Sequence, residues 1–224
     1  VCGDGFVTAP ETCEPGGTAT CNDSCTARAP VCGDTFITSP ETCDDGNAIS
    51  GDGCDSSCQL EFAGEEDLTQ LGVIIAAVPN PLGGGNKDIE VIRDGDKPAP
   101  GTGESSRQFD TWDGVDASTE DWIGYEYLTD YAFSRVLFQE GRQFWDGGWF
   151  DSLTVQIRQG GVWVEAPSVS ILPTYGGENG LSFETYELVF LPTTGDAIRI
   201  YGNPGGYANF ISVGELEVFG NAAP

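Results

Sequence analysis

Along residues 209–220 (NFISVGELEVFG), apolar side chains take every second position and the phase slips once. Ile211 and Val213 share one face, and Leu216 and Val218 resume one residue out of step, with Gly214 at the slip. A glycine at a phase change marks a β-bulge. The stretch therefore predicts the closing strand of a β-sandwich, bulged so that Glu215 turns away from water. The acidic turn Asp94-Gly95-Asp96 is the loop it is expected to meet. Residues 153–158 alternate without a slip: Leu153, Val155 and Ile157 inward, Thr154, Gln156 and Arg158 outward. Residues 73–78, 88–93, 122–128, 133–139, 161–165, 182–191 and 197–201 also read as strands, punctuated by Gly, Pro and Asp. No helical period is sustained. The series predicts a mainly β protein, a jelly-roll-like antiparallel sandwich over residues 72–221. Residues 94–112 and 141–148 form its long irregular loops, where function usually resides.

The first sixty or so residues differ in kind. VCGDGFVTAPETC (1–13) returns as VCGDTFITSPETC (31–43), and each copy closes with a Cys-x-x-x-Cys pair. The copies span 1–29 and 30–60, and the acidic, cysteine-free stretch 61–71 is expected as a linker. Cys2, Cys13, Cys21 and Cys25 belong to the first copy, and Cys32, Cys43, Cys54 and Cys58 to the second. Four cysteines in so small a unit predict two bridges per unit, with three pairings open for each. Tetrathiolate zinc is the other chemistry available to such a set.

Charge and composition narrow the partners. A net charge of -27 with nine Lys and Arg excludes a phosphate-binding surface, hence nucleic acid. It also disfavours anionic membranes, and no apolar run is long enough to insert into a bilayer. The absence of His removes the common zinc, general-base and triad chemistries. Eight clustered cysteines indicate an oxidising compartment, so the chain is expected to be secreted or at a cell surface. It is expected to be a processed form or an excised piece of a longer protein or assembly.

The second copy, through Cys32-Gly33-Asp34, Glu41, Cys43-Asp44-Asp45-Gly46-Asn47 and Gly51-Asp52-Gly53-Cys54, resembles the myxobacterial-type cysteine-rich repeat of extracellular bacterial proteins. The first copy lacks the Asp pair and the GDG. Asp44, Asp45, Asn47 and Asp52 have the oxygen chemistry of a Ca²⁺ loop, and they are also ordinary turn residues.

Residues 70–220 resemble a coagulation-factor type C, or discoidin-like, domain, the galactose-binding-like sandwich shared with family 32 carbohydrate-binding modules. The resemblance rests on VIRDG (91–95), Trp112, WIGYEY (122–127), SRVLF (134–138), GGVW (160–163), AIRIY (197–201) and ISVGELEVFG (211–220), in the family's order. It implies a structural Ca²⁺ held by Asp94 and Glu215, with Asp96 and Thr102 as further ligands, although an insertion after Asp96 departs from the family pattern. It also implies that an aromatic in the last loop can stack on sugar.

Sugar sites need an aromatic face for the C–H side of the ring and polar groups for its hydroxyls. Arg142, Trp145, Asp146, Tyr175, Tyr207 and Asn209 are the candidates. Trp122, Trp149 and Trp163 flank strands and are expected in the core, and Arg135 and Arg199 are expected to pair with carboxylates. The expected function is a non-catalytic carbohydrate-binding module. The alternative is a structural or adhesion module contacting a cell-surface protein, with the repeats as a rigid spacer. A glycosidase pair of acids is not discernible among the many Asp and Glu.

Overall fold

The computed structural model describes residues 26, 30–38, 41–49, 54–59, 64–115 and 118–223. The chain divides into two compact units, Val1–Ala63 and Gly64–Pro224. In the first, Cys32 is bridged to Cys58 and Cys43 to Cys54, so both bridges of the second repeat lie within it. Cys2, Cys13, Cys21, Cys25 and Asp52 lie outside the described residues.

The second unit is an antiparallel β-sandwich. Its strands are β1 (Glu66–Asp67), β2 (Val73–Ala76), β3 (Phe109–Asp110), β4 (Asp121–Glu140), β5 (Phe150–Gln159), β6 (Val162–Glu165), β7 (Ser170–Leu172), β8 (Thr185–Pro204) and β9 (Ser212–Ala222). The first half of β4 pairs with β2 and with the second half of β8, which continues to β5 and β6. The second half of β4 pairs with β9, while the first half of β8 carries β7. The two long strands thus pass from one layer to the other. The β4–β8 register breaks between Glu126 and Tyr131, and Leu128 at the bend is fully exposed. This is why β4 and β8 each read in the sequence as two strands, one before and one after the bend near 128 or 195: polar and small residues there mark a bend, not an end. Tyr125, Phe133, Phe138, Phe150, Ile157 and Leu216 are among the side chains that fill the core between the layers.

Three expectations change. Residues 88–93 are not a strand, because Ile89–Arg93 is a 3₁₀ helix. Asp88 caps Glu90 N, and Arg93 pairs with Glu90 at i,i+3, the spacing that eclipses in a 3₁₀ turn. Val91 and Ile92, adjacent in sequence, are both buried, which an alternating strand does not achieve. Residues 65–71, within the stretch expected as a linker, pack onto the sandwich. Glu65 binds Ser134 and Arg135, β1 pairs with β9, and Leu68 enters the core.

Trp149 is buried as expected, but Trp122 and Trp163 lie half-buried on the outer side of their layer. Between them sits Arg199, its guanidinium carbon 4.2 Å from the Trp163 ring centre and 4.8 Å from those of Trp122 and Tyr201. Its polar partner is the Gln156 amide oxygen, at 2.9 and 2.6 Å, and not a carboxylate. Arg135 does pair with acids, Glu65 and Glu187. Arg199→Ala is expected to lower stability by about 1–2 kcal/mol. Arg199→Lys should recover only part of this, since an ammonium lacks the flat fork. Denaturant midpoints measure both, and an unchanged midpoint for the alanine variant would show that the stack contributes nothing.

Candidate functional site

Two places in the sandwich bring together side chains whose chemistry the fold does not use up. The first is a cleft of about 330 Å³ walled by Leu82, Trp112, Phe144, Trp145 and Phe210, with Gly83, Gly84 and Asp146 completing the lining. Trp145 is 87% exposed.

Backbone bonds hold each wall. Residues 141–149 and 205–212 are zipped together: Gly148 N donates to Phe210 O (2.9 Å), Ala208 N to Asp146 O (2.7 Å) and Gly205 N to Trp149 O (2.9 Å). Gly206 has φ +79, and a Cβ there would lie 2.4 Å from Asp146 O, so this approach requires glycine. On the other side, the buried Asp110 carboxylate accepts from Gly85 N and Trp112 N, and Leu82 N donates to Trp112 O (2.7 Å). A Cβ on Gly83 would fall 1.8 Å from Asp110 Oδ1. Asp110 therefore positions both Leu82 and Trp112, and burial raises its pKa.

Of the residues expected at the ligand face, Trp145 and Asp146 line this cleft. The Arg142 guanidinium is exposed, 5.5 Å from the centre of the Phe144 ring. Among the described residues it is the cation without a hydrogen-bond acceptor: the guanidinium or ammonium of every other described Arg and Lys meets a carboxylate, an amide oxygen or a carbonyl. Tyr207 is exposed in the same loop region but is not among the lining residues. Asn209 is half-buried with φ 48, a left-handed conformation that Asn tolerates. Tyr175 is not among the residues that line this cleft. Its hydroxyl donates to Glu140 Oε1 (2.5 Å) and accepts from Phe150 N (2.9 Å), and its ring packs edge-on against Tyr186. Leu82, Phe144 and Phe210 were not anticipated; the Pro-Leu-Gly-Gly-Gly run at 81–85 and the aromatics flanking Trp145 and Asn209 were the available signals.

The second place is the bulge. Gln139 pairs with Glu215 and Glu140 with Val213, leaving Gly214 as the extra residue. Glu215 is thereby only 2% exposed. Its Oε1 accepts from Gly95 N (3.0 Å), so the closing strand and the 94–96 turn do meet. Its Oε2 is buried and has no hydrogen-bond partner among the described residues. Burial, and then the Asp94 charge, push Glu215 up to about 7. Asp94 Oδ1 accepts from Asp96 N (2.8 Å), and the Thr102 hydroxyl donates to Ala99 O (2.5 Å). An orphaned buried carboxylate oxygen beside a second acid fits a hard cation such as Ca²⁺. Asp96 does not fit, because Arg107 occupies both of its oxygens.

In the second cysteine-rich repeat, Asp44 accepts from the backbone N–H of Gly33, Asp34, Thr35 and Gly46 at 2.8–3.1 Å. Desolvation opposes its charge, yet these bonds hold its carboxyl below the usual value. It acts as the loop's organiser. Glu41, Asp44 and Cys58 cluster, but Cys58 is bridged to Cys32 and is not a thiolate ligand. Asn47 Oδ1 accepts from Ile49 N, while Asp45 keeps a buried Oδ2 with no partner among the described residues.

A family model described as a domain of unknown function (DUF4215) matches residues 12–59. No curated protein matches the sequence. Among solved structures, the chain is similar to one of the Streptococcus pneumoniae beta-galactosidase BgaA, at 10% identity over 68% of this chain and 91% of that one, with a TM-score of 0.52. It is also similar to the family 32 carbohydrate-binding module of NanJ from C. perfringens, solved with galactose (18% identity, 69% and 98% covered, TM-score 0.48). A third is the Clostridium perfringens module CpGH89CBM32-5, solved with GalNAc-β-1,3-galactose (18%, 68% and 99%, 0.48). The BgaA likeness establishes a shared sandwich fold.

Proposed function

We propose that the sandwich is a non-catalytic carbohydrate-binding module of a secreted or cell-surface bacterial protein. The observation that carries this reading is the aromatic cleft, with Trp145 presented to solvent beside Asp146 and Arg142. Exposed rings accept the C–H face of a sugar, and the acid and guanidinium supply an acceptor and donors for hydroxyls. Asp146 is the one acid among the lining residues, whereas most glycoside hydrolysis uses a facing pair; this favours binding over turnover.

Ca²⁺ is proposed as a structural ion at Glu215 and Asp94, with the Thr102 hydroxyl within the same loop. There it would neutralise two acids and tie the 94–102 loop to β9. Trp145→Ala is expected to weaken glycan binding about tenfold, roughly the loss of one stacking contact. Its melting temperature should stay at the wild-type value. Glycan arrays followed by calorimetry test this; an unfolded variant would place Trp145 in the fold and not in a site.

A second reading, protein contact, draws on the exposed Leu82, Val115 and Tyr207 near the same loops. It gains if a broad array yields no glycan while cross-linking captures a surface protein through Trp145.

A further inference from the structure

We propose that the side-chain oxygen of Gln139 is an uncharged ligand of the cation at Glu215; this rests on the calcium reading above. Gln139 is directly opposite Glu215 in the β4–β9 register. Their neighbours Phe138 and Leu216, also a register pair, lie in the core, so Gln139 and Glu215 project together from the other face of the layer. Residues so placed on antiparallel strands have Cβ atoms about 5 Å apart. The same loop covers both: Glu215 Oε1 accepts from Gly95 N, and Gln139 Nε2 donates to Pro98 O (3.1 Å).

Gln139 is 2% exposed, and its Oε1, like Glu215 Oε2, is buried with no hydrogen-bond partner among the described residues. The amide cannot relieve this by turning over. Its Nε2 faces Phe183 O (3.3 Å) and Thr185 Oγ1 (3.1 Å) as well as Pro98 O, and a reversed amide would set oxygen against two carbonyls. The nitrogen is thus anchored, and Oε1 is held on the side of the bulge, where a Cβ on Gly214 would lie 3.1 Å from it. Two adjacent buried acceptors, both lacking a donor, call for a positive centre between the strands and the loop.

The charge count favours an amide at this position. Glu215 and Asp94 already balance a divalent ion, and a hard cation wants about six to eight oxygens. Arg107 occupies both oxygens of Asp96, so the loop is short of free side-chain donors. Gln139 adds an oxygen without adding a third negative charge.

The test uses Tb³⁺ as the probe on the full chain, with waters on the bound ion counted from its luminescence lifetimes in H₂O and D₂O. The signal belonging to this site is the component that Glu215→Gln removes. Gln139→Met fills the same space and offers no oxygen. The ion in that variant is expected to carry about one additional water, because solvent takes the vacated position on a hard cation. Displacement of Tb³⁺ by Ca²⁺ should then show at least about a tenfold weaker site. Gln139→Glu loses the amide N–H groups but keeps an oxygen, so its ion should carry no more waters than the wild type. An unchanged water count in Gln139→Met would overturn the inference even if affinity fell, because Gln139 would then act only by bracing Pro98. An extra water in Gln139→Glu would also overturn it, and this arm stands alone should the methionine variant fail to fold. If the wild type shows no component removable by Glu215→Gln, the calcium reading falls and the ligand role of Gln139 with it.

Discussion

Chelating Ca²⁺ is expected to lower the melting temperature of the sandwich, and Glu215→Gln is expected to abolish the difference. At a calcium concentration ~100 times the dissociation constant, an ion bound only by the folded state contributes about 2.7 kcal/mol. For a domain of this size that is a shift of roughly 5–10 °C. The sign of the pH dependence follows from Glu215, which burial and the neighbouring Asp94 push up to about 7. A carboxyl whose folded value lies above its unfolded one destabilises the fold when ionised. That penalty is fully present above about pH 7 and is relieved as the pH falls toward the unfolded value. The metal needs the ionised form, so its stabilisation should be largest near pH 8 and shrink on acidification as protons compete. Glu215→Gln removes the buried charge: without calcium it should melt above the wild type at pH 8, and it should ignore added calcium. A Glu215→Gln variant that still gains from calcium would move the ion elsewhere. A wild type that does not respond at all would leave the orphaned Oε2 as a plain buried acid.

The bulge that sets this locus was legible because it has a one-dimensional signature. A period of two, one slip and one glycine specify which side chain is re-aimed, and Glu215 lies where that pattern puts it. The strand faces were legible for the same reason: Val155, Ile157, Val213, Leu216 and Val218 are buried. The cleft was legible only in part. Trp145 stands out as an aromatic in a Gly-rich loop, but its partners Leu82, Trp112 and Phe210 come from three other loops. Nothing local to those loops says that Asp110 draws residues 82 and 112 together, since that bond spans 25 residues and depends on a glycine having no Cβ. The bonds of Tyr175 were not legible, because an aromatic in a Gly-rich loop looks the same whether its hydroxyl is free or bound. The short helix at 89–93 misled because Asp88 and Glu90, capping and pairing residues, sit on an apolar alternation that also suits a strand.

The bond that claims Tyr175 carries the other large expected effect. Glu140, at the end of β4, is buried; it accepts from the Tyr175 hydroxyl on one oxygen and from Gln143 Nε2 (2.7 Å) on the other. Gln143 in turn meets Gly177 O, Asn179 and Gly180 N, so one carboxyl braces the 141–149 loop, which carries Arg142 and Trp145, against residues 175–180. Glu140→Ala leaves a buried hydroxyl and amide without their acceptor and is expected to cost about 3 kcal/mol. Glu140→Gln separates the two halves of the brace. Its amide oxygen can still accept from Tyr175, but its NH₂ then faces the NH₂ of Gln143, two donors with no acceptor between them. That variant should keep most of its stability and lose grip on the 177–180 turn, seen as faster amide exchange there and weaker binding at the Trp145 cleft. It should also flatten the pH profile. Burial pushes Glu140 up to about 7, as it does Asp121, so wild-type stability should rise as pH falls from 8 toward 5 while these acids take up protons. Glu140→Gln, already neutral, lacks one of those steps. Thermal melts of both proteins across that range decide the matter: parallel pH profiles would mean that Glu140 does not change its protonation there, and unchanged exchange at 177–180 would mean that the brace does not reach the loop.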